Sequence, residues 1–261
     1  MPSKPRIVLA KLADAARLNG RARLFYHLGR PNFGDDINPW FMRILHGVDF
    51  RWGSTGRPHL LGVGSIADRA TARSWVMGSG LLEPLPRGER PRCGRIVALR
   101  GALTAGMLGV DPPHLGDPVC LLDRLLERPA GREGRIGVVP HAVSVEAWRR
   151  RLVGRDDLFL IDPRGEPIRV AKAIATCARV ASQSLHGLVV ADAYGIPAVW
   201  VDPAPGMVGG RFKFDDYFTT CAQPRVGVCL DDLLGDVDSL PWSVASHRVD
   251  KPAYLLSLIH I

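Results

Sequence analysis

Short, nearly uninterrupted apolar runs alternate along this chain with segments of helical period, and turn residues close almost every run. Ala22 to Leu28 is the first such run, and a Pro/Asn/Gly turn follows it. Ile37, Trp40, Phe41, Ile44 and Leu45 then fall on one face of a 3.6-residue period, with Asp35 or Asp36 placed to cap the helix and Gly47 to end it. Leu60 to Val63, Trp75 to Met77 and Ile96 to Leu99 read as further strands, and Leu103 to Leu108 as a short helix stopped by Gly109. After the polar, turn-rich stretch 127–134 the pattern restarts. Strands at Ile136 to Val139, Leu158 to Ile161, Val180 to Ala181 and Ala198 to Val201 are interleaved with helices marked by Val145, Trp148 and Leu152, by Val170, Ile174 and Cys177, and by Leu185 to Tyr194. Strands that are apolar on both faces and alternate with helices belong to parallel sheets covered on each side. The expected fold is therefore α/β: two Rossmann-like lobes with parallel sheets and a cleft between them, residues 1–126 and 135–255, joined by 127–134. A length of 261 residues suits two such lobes.

The ends of the chain carry little of this pattern. Lys11 and Asp14 interrupt the apolar run Ile7 to Ala10, so it does not read as a secretory signal, and no run approaches the roughly 20 residues of a membrane span. The expected location is the cytoplasm. Leu256 to Ile261 reads as translated sequencing-adaptor sequence, and the natural protein is expected to continue past Leu255. Cys93, Cys120, Cys177, Cys221 and Cys229 are odd in number, show no C-x-x-C pair and are expected to be buried, reduced thiols. The net charge of +8 admits nucleic-acid binding, attraction to an anionic substrate, or simple arginine-rich coding. Basic residues are scattered apart from Arg149 to Arg151 and aromatics make up 7%, which argues against a nucleic-acid surface.

Four segments put polar residues where such folds bind ligands. Asn32, Gly34 and Asp35 lie between the first strand and its helix, where glycine permits close approach and a helix start offers free N–H groups; a plain turn with an N-cap would use the same residues. Arg100 ends a strand and opens a helix, so its fork would meet either a ligand carboxylate or phosphate, or a protein carboxylate. His141 and Ser144 repeat that placement in the second half, and His114 and Asp117 stand in His-Leu-Gly-Asp-Pro before an apolar segment. In Ala181-Ser-Gln-Ser-Leu-His-Gly187 the strand ends in three polar residues, and a helix begins at or near His186-Gly187. Hydroxyls, an imidazole and helix N–H groups converging there make an anion site with its own acid or base. No second His or carboxylate has metal-ligand spacing, so no metal is expected. G-x-S-x-G, the nucleophile elbow, is absent.

Asn32-Phe-Gly-Asp35, Leu99-Arg-Gly101, Gly116-Asp-Pro118, and Ser182-x-Ser-Leu-His-Gly187 followed by Ala191-Asp-Ala-Tyr-Gly-Ile-Pro197 together resemble the polysaccharide pyruvyltransferase family, its bacterial exopolysaccharide members above all. The likeness spans roughly Arg23 to Tyr217. It implies a GT-B-like architecture and transfer of the pyruvyl group of phosphoenolpyruvate to two sugar hydroxyls, giving a cyclic ketal and free phosphate. It further implies donor contacts through an Arg at the position of Arg100 and through an Arg-Leu-His triplet. Here the triplet is Ser184-Leu185-His186, so the second arginine is missing, and Arg211 or Lys213 are the candidates to replace it. His186 is the expected acid–base, with Ser184, Leu185, Gly187, Asn32, Gly34, Asp35, His141 and Ser144 around the substrates.

The chemistry suits these residues on its own. Phosphoenolpyruvate is a small trianion near neutral pH and needs cations and N–H donors more than apolar walls. Ketal formation moves protons onto the enol carbon and the departing phosphate and off two hydroxyls, which a histidine serves near pH 7 with phosphoenolpyruvate as co-substrate and no cofactor. The acceptor would be a sugar or lipid-linked oligosaccharide, bringing the protein to the inner face of the membrane. A GT-B nucleotide-sugar glycosyltransferase is the alternative enzyme, although no segment reads as a base or ribose site. A non-catalytic polyanion-binding protein is the alternative outside enzymes.

Overall fold

The computed structural model describes residues 22–131 and 134–260. The Ile7 to Ala10 run, two residues of the 127–134 stretch and Ile261 lie outside the described residues. Two sheets, parallel throughout, divide the chain as the alternation of runs predicts. The first contains β1 (Arg23–Phe25), β2 (Arg51–Trp52), β3 (His59–Leu61), β4 (Ser74–Met77), β5 (Arg95–Leu99) and β6 (His114–Leu115), in the order β2-β1-β3-β4-β5-β6. The second contains β7 (Ile136–Val139), β8 (Leu158–Leu160), β9 (Arg179–Ser182), β10 (Ala198–Val201) and β11 (Gly227–Val228), in the order β11-β10-β9-β7-β8.

Helices run between the strands: α1 (Phe33–Asp36), α2 (Asn38–His46), α3 (Ala102–Leu108), α4 (Leu122–Leu125), α5 (Val145–Arg151), α6 (Pro167–Ala175), α7 (Leu185–Ala193), α8 (Phe212–Phe218), α9 (Leu230–Leu234) and α10 (Lys251–Ile259). Gly47 and Gly109 end α2 and α3 in the left-handed conformation, as their positions predict. The start of α1 differs from expectation. Asn32 takes the cap position, while Asp35 and Asp36 lie inside the first turn, with Asp36 accepting from the Asn32 backbone N–H and Asp35 from its side-chain amide. Every residue of α7 is buried, which explains a helix with almost no polar face: β9, β10, α6 and the turn Pro118–Leu121 surround it.

In both sheets the chain lays its second strand to one side of the first and then returns to lay the third on the other side. Loops diverge at that reversal and open a crevice beyond the strand ends. The first sheet has it between β1 and β3, the second between β7 and β9. Each half has a smaller apolar cluster of its own, and a larger one joins them. The larger cluster runs from Leu24, Phe33 and Phe41 through Val119 and Leu121 to Leu188, Trp200 and Phe214.

The C-terminal helix α10 packs on the first half. Tyr254 is buried, stacks on His114 and donates to the Gly116 carbonyl at 2.8 Å, and Lys251 pairs with Asp123 at 2.9 Å. The helix runs on into the tail, with Leu258 buried and Ser257 bonded to His114; apolar residues at that spacing would pack so whatever their origin. Cysteine burial holds for Cys120, Cys177 and Cys221, holds only in part for Cys93, and fails for Cys229, whose thiol caps α9 at the surface.

Candidate active site

Both reversals face one cavity. Its inner compartment, about 220 Å³, is lined by His27, Asn32 and Asp35 from the β1–α1 loop and by Ser65 and Ile66 from the loop after β3. His141 and Ala142 beyond β7, and Ser184, Leu185 and His186 at the start of α7, line the opposite wall, with Lys213 of α8. An outer compartment of about 640 Å³ shares His27, Asn32, Asp35, His141, Ala142 and Val208 with the inner one and extends over Leu28, Arg30, Val143 and Met207. The inner space lies below the usual 300–1,000 Å³ of small-molecule sites and the outer one within it. The pair suits a small ligand behind a larger one.

His186 is set by its neighbours. The ring stands against Gly34, where a Cβ would overlap Nδ1 and Cγ, and packs edge-on to Phe33 with centroids 6.2 Å apart. Its Nε2 lies 3.4 Å from Oδ2 of Asp117, a fully buried carboxylate whose other oxygen accepts from the Val119 N–H at 3.0 Å. Asp35 is held by Asn32 at 3.0 Å and faces His186 and His27 across the cavity. Crowding by protein raises its carboxyl above the ordinary value, with both imidazoles and the Asn32 amide pulling the other way. Asn38, also buried, ties this segment to the loop after β3 by bonding the Val63 N–H at 2.7 Å and its carbonyl at 3.0 Å.

Among the described residues, the lysine or arginine lining the inner compartment is Lys213. Burial lowers its ammonium to about 8, the nearby Arg100 guanidinium adds to the fall, and Asp35 opposes it. Burial and Lys213 likewise drop His141 to about 4, so that it is a neutral imidazole near pH 7. Of the two candidate replacements for the missing arginine, Lys213 lines the cavity and Arg211 does not. Arg211 turns away, pairing with Asp202 at 2.9 Å and stacking over Trp200.

Four expectations need correction. Gly34 faces the His186 ring and does not line the cavity. Arg100 does not enter the cavity. It is 0% exposed, its Nε donates to Asp216 at 3.0 Å and its Nη1 to Ser65 at 2.7 Å, with Nη2 on the Leu81 carbonyl. A buried Asp216 carboxylate demands a partner, and the guanidinium supplies it. Asp216 also receives the Thr104 N–H at 2.8 Å, so α8 of one half caps α3 of the other. Gly101 permits this approach, since a Cβ there would strike the Asp216 backbone. Gly187 opens no ligand space either: it faces Ser182 and Val139, allowing α7 to close on β7. Ser144 sits at the start of α5 and does not line the cavity.

The polar strand end divides in the same way. Ser182 bonds the Ser184 carbonyl at 2.7 Å, and Gln183 spans the Asp202 carbonyl and the His141 N–H. Only Ser184 reaches the cavity. Sequence reading assigned no role to His27, Ser65 or Asp216, and left Asp117 without a partner. The Gly-Asp-Pro turn was the one signal that pointed to Asp117.

Comparison with known proteins decides the family. A profile described as Polysaccharide pyruvyl transferase matches residues 57–205, which take in Arg100, Asp117, His141 and His186. The chain belongs to the polysaccharide pyruvyl transferase family. It is 33% identical over 200 residues to the succinoglycan biosynthesis protein ExoV of Rhizobium meliloti (strain 1021), a match covering 72% of this chain and 61% of ExoV. It is 30% identical over 173 residues to the uncharacterized protein L143 of Acanthamoeba polyphaga mimivirus, covering 62% of this chain and 60% of that protein. The chain thus matches about three fifths of the length of these relatives. A functionally uncharacterized Klebsiella pneumoniae protein of known structure aligns with a TM-score of 0.41 at 11% identity, over 84% of this chain and 94% of that one. So loose a likeness adds nothing to the fold. Among the described residues, no helix of this family member is long and apolar enough to cross a membrane.

Proposed function

We propose that this pyruvyl transferase family member moves the pyruvyl group of phosphoenolpyruvate to two hydroxyls of a sugar on an exopolysaccharide or lipid-linked precursor. The products are a cyclic ketal and phosphate. The observation that carries the reading is the two-compartment cavity, with Lys213 and His186 at its inner end. The small anionic donor takes the inner compartment, its charge met by Lys213 and the N–H groups at the start of α7. The sugar takes the outer compartment, its paired hydroxyls entering past His27, Asp35 and His141, which border both spaces. His186 exchanges protons with the donor, and no metal is required for any step. Arg100 acts from behind the wall, holding Ser65 and α8 in place.

Two strand reversals facing one cavity suit a GT-B-like arrangement of lobes, in which small hinge motions would open the site to the donor. A cytoplasmic protein working against the inner face of the membrane would meet a lipid-linked acceptor there. Titration calorimetry with phosphoenolpyruvate tests donor recognition without an acceptor. Losing one charge-assisted contact, worth about 1.5–3 kcal/mol, predicts that Lys213→Met weakens binding roughly 10–100-fold while Arg211→Met leaves it unchanged. Binding of UDP-glucose in place of phosphoenolpyruvate would instead make the chain a nucleotide-sugar enzyme. Turnover that survives EDTA is the matching expectation for metal.

A further inference from the structure

Buried polar atoms are almost always bonded, and two buried carboxylates of this protein, Asp192 and Asp216, follow that rule. Asp192 is gripped by Arg225 and Tyr217, and Asp216 by Arg100 and Thr104. Asp117 departs from it. Its Oδ1 caps the Pro118–Leu121 turn, but its Oδ2 is buried without a hydrogen bond, and so is Nε2 of His186. These two orphan atoms face each other at 3.4 Å. Each would cost free energy if left unmatched, and no other described atom lies in bonding geometry to either. The ring's Nδ1 stands against Gly34 with no hydrogen bond to a described residue and, unlike Nε2, is not among the fully enclosed atoms; the ring itself lines the cavity.

We propose that Asp117 is the positioning residue of His186: its carboxylate takes the Nε2–H and thereby leaves the lone pair of Nδ1 as the site of proton exchange. A gap slightly longer than a full hydrogen bond is the usual state of such pairs without substrate, and it tightens when charge develops. Asp117 fixes the tautomer and faces the imidazolium that forms, as carboxylates behind working histidines do. Gly34 completes the device, because any side chain there would push the ring off Asp117.

The catalytic part of this assignment rests on the pyruvyl-transfer reading; the pairing itself does not. In that reaction the ring enters as the imidazolium, with Nε2–H on Asp117; Nδ1 gives its proton to C3 of the enol, and C2 takes the first hydroxyl oxygen, whose proton returns to Nδ1. Phosphate then leaves C2 with the C–O electron pair, the second hydroxyl oxygen bonds to C2, and its proton ends on phosphate. One hydroxyl proton has become part of the methyl group, the other sits on phosphate, and His186 is regenerated.

Long-range ¹⁵N–¹H NMR on the ligand-free full chain, with His186 assigned by its loss in His186→Gln, reads the tautomer directly. In its neutral form the ring is expected to be protonated at Nε2 and bare at Nδ1, shifting to a mixed or Nδ1–H form in Asp117→Asn. A wild-type ring protonated at Nδ1 overturns the proposal, and this measurement needs no variant at Asp117 to fold. With phosphoenolpyruvate and lipid-linked oligosaccharides, Asp117→Asn should lower kcat by about 10²–10⁴ and shift donor KM by less than about threefold. Asp117→Asn/His186→Gln should be no slower than His186→Gln alone, since the two act as one unit. Independent losses in that double variant, or a normal kcat in Asp117→Asn, overturn it. A wild-type chain that releases no phosphate from phosphoenolpyruvate would remove the pyruvyl-transfer reading while the tautomer still decides the pair.

Discussion

Gly34 and His186 are far apart in sequence and form one structural unit, because the imidazole fills the space where a side chain at position 34 would stand. Gly34→Ala should therefore act as a lesion of His186, lowering kcat by about 10² or more with little change in melting temperature. Two cationizable neighbours set the pH response. Lys213, lowered to about 8, is charged at pH 7 and loses its proton as pH rises past that value. Phosphoenolpyruvate affinity should fall above about pH 8, and Lys213→Arg, whose charge persists, should flatten the decline. His141 works in the opposite range. Its folded value of about 4 lies below the unfolded 6.5, so the unfolded chain binds more protons between them. Stability should fall on acidification across that window, and His141→Gln should reduce the slope in denaturant titrations at stepped pH. Among single residues, the place of His186 on the cavity wall was legible from its position after a polar strand end at the start of a helix. Its partner Asp117 was not, since their contact joins two halves of the chain that no local pattern connects.

At the level of elements, the longer apolar strands were readable and the two-residue strands were not. Ile136–Val139 and Ala198–Val201 match their runs residue for residue, because strands buried on both faces must be continuously apolar. Arg51–Trp52, His114–Leu115 and Gly227–Val228 are two residues each, too short to carry a period. The helix after Arg100 shows the harder failure. A strand end opening a helix points at a crevice in general, but here α8 arrives from the other half and Asp216 claims the guanidinium. Breaking one partner of a buried pair costs about 3–5 kcal/mol. Arg100→Lys should accordingly be damaging chiefly through lower thermal stability, seen by calorimetry, with Lys213 displaced because it shares α8 with Asp216.

The whole molecule was legible as two parallel sheets, because alternating runs and a polar stretch between them leave little other choice. Their shared core and the placement of α10 were not, being set by packing alone. That helix steadies the His114 to Asp117 segment on which His186 leans. Tyr254→Phe strands the buried Gly116 carbonyl and should cost about 1–3 kcal/mol in unfolding free energy, leaving kcat intact when the protein is assayed folded. The same cavity must hold donor and acceptor together for any of this to matter. Phosphate release from phosphoenolpyruvate, with lipid-linked oligosaccharides as acceptors, tests that directly when wild type and His186→Gln are run side by side. The account predicts acceptor-dependent release by wild type and a kcat lower by about 10²–10⁴ in His186→Gln, with phosphoenolpyruvate binding retained. A folded His186→Gln protein that releases phosphate at the wild-type rate would contradict it.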